Sequence, residues 1–190
     1  MPGKAWMDAT ELAPRMLSNR MNAEILARLP RLGLPQCMLT AGCLFQTIWN
    51  AACDRPAEAG IRDYDVFYFD DRDLSWEAED RVIAAARTLF ADLGVVVELR
   101  NQARVHLWYE ARFGAPSPPL SSSRDSIDRY LVRCTCVGIE AATGTLYAPC
   151  GLDELQAGIL RLNPRTIQPA LFRRKAEDYR ARWPFLAIAG

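Results

Sequence analysis

The sequence predicts an α/β or α+β domain, short strands alternating with helices around a central αβαβ core. Three observations carry this. Short apolar runs at 37–40, 61–70 and 95–100 alternate with longer stretches whose apolar residues recur at helical spacing. A break at Pro116-Ser117-Pro118-Pro119 divides this αβαβ unit from a C-terminal part. There, a hairpin across Ala142-Thr143-Gly144 is expected between two helices. A chain of 190 residues suffices for one core. The expected organisation is therefore a single compact unit, with residues 1–115 holding the N-terminal helices and core, and 116–190 packed on them.

In order, Asp8 or Thr10 caps a first helix running to about Ser18, and Asn22 opens a second that Pro30 and Pro35 end. Residues 37–40 form a buried strand, Ala41-Gly42 a turn, and 44–51 an apolar helix. After the 61–70 strand, Ser75 caps a long amphipathic helix bearing Val82, Ile83, Ala86, Leu89, Phe90 and Leu93, and Gly94 stops it. A strand at 95–100 and a helix at 102–113 follow. Beyond the break come a helix capped by Ser123, the hairpin of 135–140 with 145–147, a short helix at 152–160 and a charged terminal helix at 172–182.

Composition narrows the function. Acids and bases balance at 23 each, so no overall charge draws the molecule to nucleic acid or to an anionic membrane. Among the bases only Lys4 and Lys175 are lysines; the rest are arginines, which suit bidentate phosphate contacts but equally suit a GC-rich genome. No run is long and apolar enough for a membrane span, and the first residues lack a signal-peptide core, so a cytoplasmic protein is expected. Six scattered cysteines without a CxxC pair, and the lone His106, argue for reduced thiols rather than a zinc site.

The chemistry concentrates in Ile61-Arg62-Asp63-Tyr64-Asp65-Val66-Phe67-Tyr68-Phe69-Asp70. Alternate residues of a strand share a face, so Asp63 and Asp65 point the same way. Two converging carboxylates beside an apolar run repel each other, which a divalent cation or an opening to water relieves. Glu98, flanked by valines and Leu99 on the next strand, offers a third acid, with Arg100 or Arg62 as its structural ion partner in the alternative reading.

A Gly turn at a helix start (Thr40-Ala41-Gly42-Cys43), a D-x-D strand (Asp63-Tyr64-Asp65-Val66) and a later acid between apolar residues (Val97-Glu98-Leu99) resemble the DNA polymerase β-type nucleotidyltransferase superfamily. More closely, the stretch 37–164 is similar to a family of bacterial nucleotidyltransferase-like proteins long catalogued as a domain of unknown function. That similarity rests on four blocks: Ala41 to Asn50, Asp63 to Asp70, Arg100 to Tyr109, and Tyr147 to Leu155. The resemblance implies an α+β nucleotidyltransferase fold with an α/β-like core, a short mixed central sheet flanked by helices, plus a C-terminal helix-hairpin-helix part. It also implies transfer of a nucleoside monophosphate from an NTP to an acceptor, with release of pyrophosphate. Asp63, Asp65 and Glu98 would be the catalytic, metal-binding acids for Mg²⁺, or Mn²⁺, with Glu98 binding the nucleophile-side metal or acting as general base for the acceptor. Gly42 and Cys43 would form the phosphate turn and Arg104 a further phosphate contact. Cys43 departs from the Ser or Gly usual there, and the segment between Gly42 and Asp63 is longer than is common. The acceptor, whether small molecule, RNA end or protein, is left open, as is the oligomeric state. A rival expectation keeps the fold without turnover: a degenerate member that binds nucleotide, RNA or a protein partner.

Overall fold

The computed structural model describes residues 7–114 and 117–190, so the boundary expected between 115 and 116 falls outside the described residues. Helix α1 (Ala9–Met16) is held by a capping box in which Asp8 accepts from the Thr10 and Glu11 N–H groups and Glu11 accepts from the Asp8 N–H. Helix α2 (Arg20–Arg28) begins earlier than expected, because Asn19 is its cap. Asn22 is instead buried, donating to the Met16 and Cys43 carbonyls at 2.8 Å each.

Strand β1 (Met38–Thr40) leads directly into α3 (Gly42–Ala52). Then come β2 (Tyr64–Tyr68), α4 (Trp76–Phe90) capped by Ser75, β3 (Val97–Asn101) and α5 (Val105–Phe113). The C-terminal part supplies α6 (Ser123–Asp128), the hairpin β4 (Gly138–Glu140) with β5 (Leu146–Tyr147), and α7 (Asp153–Ala157). Last are β6 (Ile159–Leu160), α8 (Pro169–Arg182) and β7 (Ala187–Ile188). The helix expected over 152–160 stops at Ala157, since Gly158 takes a left-handed conformation and releases the chain into β6, which pairs with β7. Two-residue strands carry too little pattern to be read from sequence.

The five-stranded sheet has the order β3-β2-β1-β4-β5. Strands β2 and β3 are parallel, joined by the α4 crossover, and the other neighbours are antiparallel. The α+β expectation with a mixed sheet is borne out. Strands β4 and β5 extend the sheet begun by β1, β2 and β3, so both parts of the chain share one hydrophobic core.

Period-two alternation separates the two faces of the sheet. Leu39, Tyr64, Val66, Tyr68, Leu99 and Ile139 are buried in the main core, with Leu44, Phe45 and Trp49 of α3. The opposite face carries Met38, Thr40, Asp65, Phe67, Glu98, Arg100 and Gly138, aligned by register. Helix α6 closes part of that second face by close approach. A Cβ on Gly138 would lie 2.7 Å from Ile127 Cδ1, so any larger residue would push the Ile127 side chain aside. The acid end of the face stays partly open. Helix α8 packs on α3 through aromatic rings: Tyr179 lies 5.6 Å from Phe45 and 5.3 Å from Trp49, and Trp183 lies 5.4 Å from Trp49. Each such pair contributes about 0.5–1.5 kcal/mol beyond area burial. Trp183 Nε1 also donates to Asn50 Oδ1 at 2.9 Å.

Candidate active site at the β1–α3 junction

The site begins where β1 turns into α3. Ala41, at the N-cap, has φ 62° and ψ −139°, a region that strains any residue with a side chain. Its methyl offers no acceptor, so the first-turn N–H groups of α3 carry no side-chain cap. Gly42 lies close under Gln46: a Cβ there would stand 2.6 Å from Gln46 Nε2, so that amide would have to shift. Gln46 is itself held from α8, its Oε1 accepting from Arg182 Nη2 at 2.9 Å. The result is a helix N-terminus, which favours anions, roofed by a side-chain amide.

Beside this turn lies a row of residues in register across the sheet, Gly138, Thr40, Asp65 and Glu98. Thr40 Oγ1 donates to the Val137 carbonyl at 2.6 Å, so the Tyr130 hydroxyl, 3.0 Å away, donates to Thr40. Asp63 lies one residue before β2. Burial, reinforced by the charges of Asp63 and Glu98, pushes the Asp65 carboxyl up to about 7, while Lys175 and Arg100 pull it back. An acid in that state is under electrostatic load that a cation would relieve. Glu98 is more open, with 43% of its side chain exposed, and sits 3.6 Å from Arg100 Nη2. The ion pair offered by the alternative reading of Glu98 is therefore present.

The donor chemistry fits a hard divalent ion, since Asp63, Asp65 and Glu98 present only carboxylate oxygens. Their spacing is looser than a formed cage: among the described residues no group of three or more His, Cys, Asp or Glu side chains is gathered closely enough to hold a metal.

Two residues expected at the phosphate have other tasks. Cys43 is fully buried in the main core, its thiol donating to the Thr40 carbonyl at 3.2 Å. Burial pushes that thiol well above its ordinary value, with Asp65 and Asp63 adding to the shift. Only its backbone N–H belongs to the turn. Arg104 is 6% exposed and locked in an ion pair with Glu79, while its Nε donates to the Leu74 carbonyl at 3.0 Å. Glu79 is in turn fixed by the Asn101 N–H at 2.8 Å. A guanidinium so engaged is a structural strut between α4 and the end of β3.

Lys175 of α8 was not singled out from the sequence. Its side chain is exposed, yet its ammonium lies within charge reach of Asp65 and 5.8 Å from the Tyr179 ring. Burial of the charged end lowers its pKa, and Asp65 opposes that. The one available signal was its rarity: a single internal lysine in a chain of arginines.

A mixed sheet whose acids stand beside an uncapped helix N-terminus defines the nucleotidyltransferase class of fold. The chain belongs to a nucleotidyltransferase family, whose model matches residues 27–188. Among solved structures, it is similar to a protein whose NMR structure reveals a CCA-adding enzyme head domain, at 25% identity and a TM-score of 0.75 over 95% of each chain. A Thermotoga maritima CCA-adding enzyme complexed with tRNA shares the fold, at 13% identity and a TM-score of 0.53; 97% of this chain covers 43% of that one. No curated protein matches the sequence. Among the described residues no helix is long and apolar enough to cross a membrane.

Proposed function

We propose that this protein is a metal-dependent nucleotidyltransferase that moves a nucleoside monophosphate from an NTP to an acceptor and releases pyrophosphate. The observation that carries the proposal is the loaded carboxylate row, Asp65 opposite Glu98 with Asp63 beside them, set against the N-terminus of α3. Asp63 and Asp65, with Glu98, would hold Mg²⁺ or Mn²⁺. When bound, such an ion neutralises triphosphate charge and eases displacement at the α-phosphorus.

The chain's own groups supply the rest. The Gly42 and Cys43 N–H groups and the Lys175 ammonium would bind phosphate oxygens. The acceptor oxygen bonds to the α-phosphorus, the α–β phosphoanhydride bond breaks, and pyrophosphate leaves with the bonding electron pair. The acceptor's proton passes to a carboxylate oxygen of Glu98, whose side chain is 43% exposed. An RNA 3′ end is the first acceptor to try, because a structural relative was captured on tRNA.

The test is pyrophosphate release with Mg²⁺ and each NTP across RNA, small-molecule and protein acceptors, for the wild type, Asp63→Asn and Asp65→Asn. Turnover that vanishes in both variants is expected. NTP binding with no turnover on any acceptor would favour the degenerate, binding-only reading, which the loose spacing of the acids also fits.

A further inference from the structure

Trp49 and Trp183 are fully buried, whereas Trp76 exposes 65% of its surface at the start of α4. A large indole left in water is informative in a way that an exposed leucine is not. The ring is nevertheless fixed. The Arg104 guanidinium lies over it, 5.4 Å from the ring, and Arg104 is itself held by Glu79 and the Leu74 carbonyl.

Trp76 forms one wall of a cavity of about 350 Å³. Glu79 and Ile83 of α4, Arg100 of β3, and Trp108, Ala111 and Arg112 of α5 supply the others. Two indoles and two guanidiniums around an aliphatic floor suit a planar heteroaromatic ring, which stacks on aromatic faces and on arginine planes. One residue links the cavity to the carboxylate row. Arg100 borders the cavity, lies 3.6 Å from Glu98, and acts by charge on Asp65.

We infer that this cavity is the base subsite for the nucleotide whose phosphates lie at the carboxylate row, with Trp76 as its stacking platform. The inference rests on the nucleotidyl-transfer reading and adds the place where the base is held. Stacking is tolerant of base identity, and a purine covers more of the indole than a pyrimidine, so ATP and GTP bind more tightly than CTP and UTP.

Calorimetry of the full chain with Mg²⁺ tests it, using ATP, adenosine and inorganic tripolyphosphate as probes and the wild type, Trp76→Ala, Trp76→Phe and Ile83→Arg as proteins. Trp76→Ala should weaken ATP about tenfold or more and leave tripolyphosphate unchanged, with Trp76→Phe restoring most of the loss. Ile83→Arg, which fills the cavity without touching Trp76, should reproduce the selective loss even if Trp76→Ala melts early. Unchanged ATP affinity in Trp76→Ala and Ile83→Arg overturns the subsite and leaves the transfer reading standing. Adenosine binding that depends on Trp76, in a protein that ignores tripolyphosphate, would keep the subsite and sink the phosphate assignment.

Discussion

Asp65 and Glu98 face each other across the parallel β2–β3 ladder, and the charge of Glu98 helps to hold the Asp65 carboxyl at about 7. Parallel pairing of adjacent strands puts these two acids on one face. The strain they create is therefore built into the topology.

That strain has a pH signature. Asp65 titrates at about 7 when folded against 3.8 as a free group, so the folded state holds more protons between those values and stability falls as pH rises through that window. The cost is fully present above about 7 and absent below about 4. Without divalent ions, Asp65→Asn should therefore melt higher than the wild type at pH 8 and match it near pH 4. A bound ion acts in the opposite sense, so Mg²⁺ should raise the wild-type melting temperature more at pH 8 than at pH 5. An equal Mg²⁺ effect at both pH values would contradict the assignment.

Arg104 supports structure rather than substrate. Removing it leaves the Glu79 carboxylate buried without its partner, which costs about 3–5 kcal/mol. Arg104→Met should show this in urea unfolding, and the double variant Arg104→Met with Glu79→Gln should recover much of it. A stable Arg104→Met protein with weakened tripolyphosphate binding would restore the phosphate role.

What the sequence revealed and what it hid follow one physical division. Local signals were legible: the Asp8 capping box, the Ser75 cap, the Gly94 stop and the alternation that put Asp65 opposite the core residues Tyr64 and Val66 all depend on near neighbours. Partnerships between distant residues were not. Arg104 meets Glu79, Gln46 meets Arg182, and Lys175 meets Asp65 only after folding, so no spacing announces them. Cys43 shows the same limit. Its place in the motif pointed to phosphate, but the helix turns the side chain of that position into the core.

Cys43→Ser tests that placement. A hydroxyl can still donate to the Thr40 carbonyl, so the change costs about 1 kcal/mol of stability or less, without a new phosphate contact. NTP affinity should stay within twofold of the wild type, measured by calorimetry. In the native wild type this thiol should resist alkylation, reacting only after unfolding, because it is fully buried and its pKa is raised. Tighter NTP binding by Cys43→Ser would place the side chain in the site.

Lys175 gives the sharpest prediction, because its role depends on α8 being docked. The helix is fastened to α3 by Tyr179, Trp183 and the Arg182–Gln46 hydrogen bond, which holds the Lys175 ammonium within charge reach of Asp65. An ammonium that bonds a phosphate oxygen contributes about 1.5–3 kcal/mol, or roughly 10- to 100-fold in affinity. Lys175→Met should weaken NTP and tripolyphosphate alike by that factor. Lys175→Arg, which keeps the charge, should recover part of the loss. Fold stability should barely change, since the side chain is exposed and lies outside the main core. The contrast with Trp76 separates the two halves of the ligand: Lys175→Met acts on both probes, whereas Trp76→Ala acts on ATP alone. Unchanged tripolyphosphate affinity in Lys175→Met would remove α8 from the phosphate site.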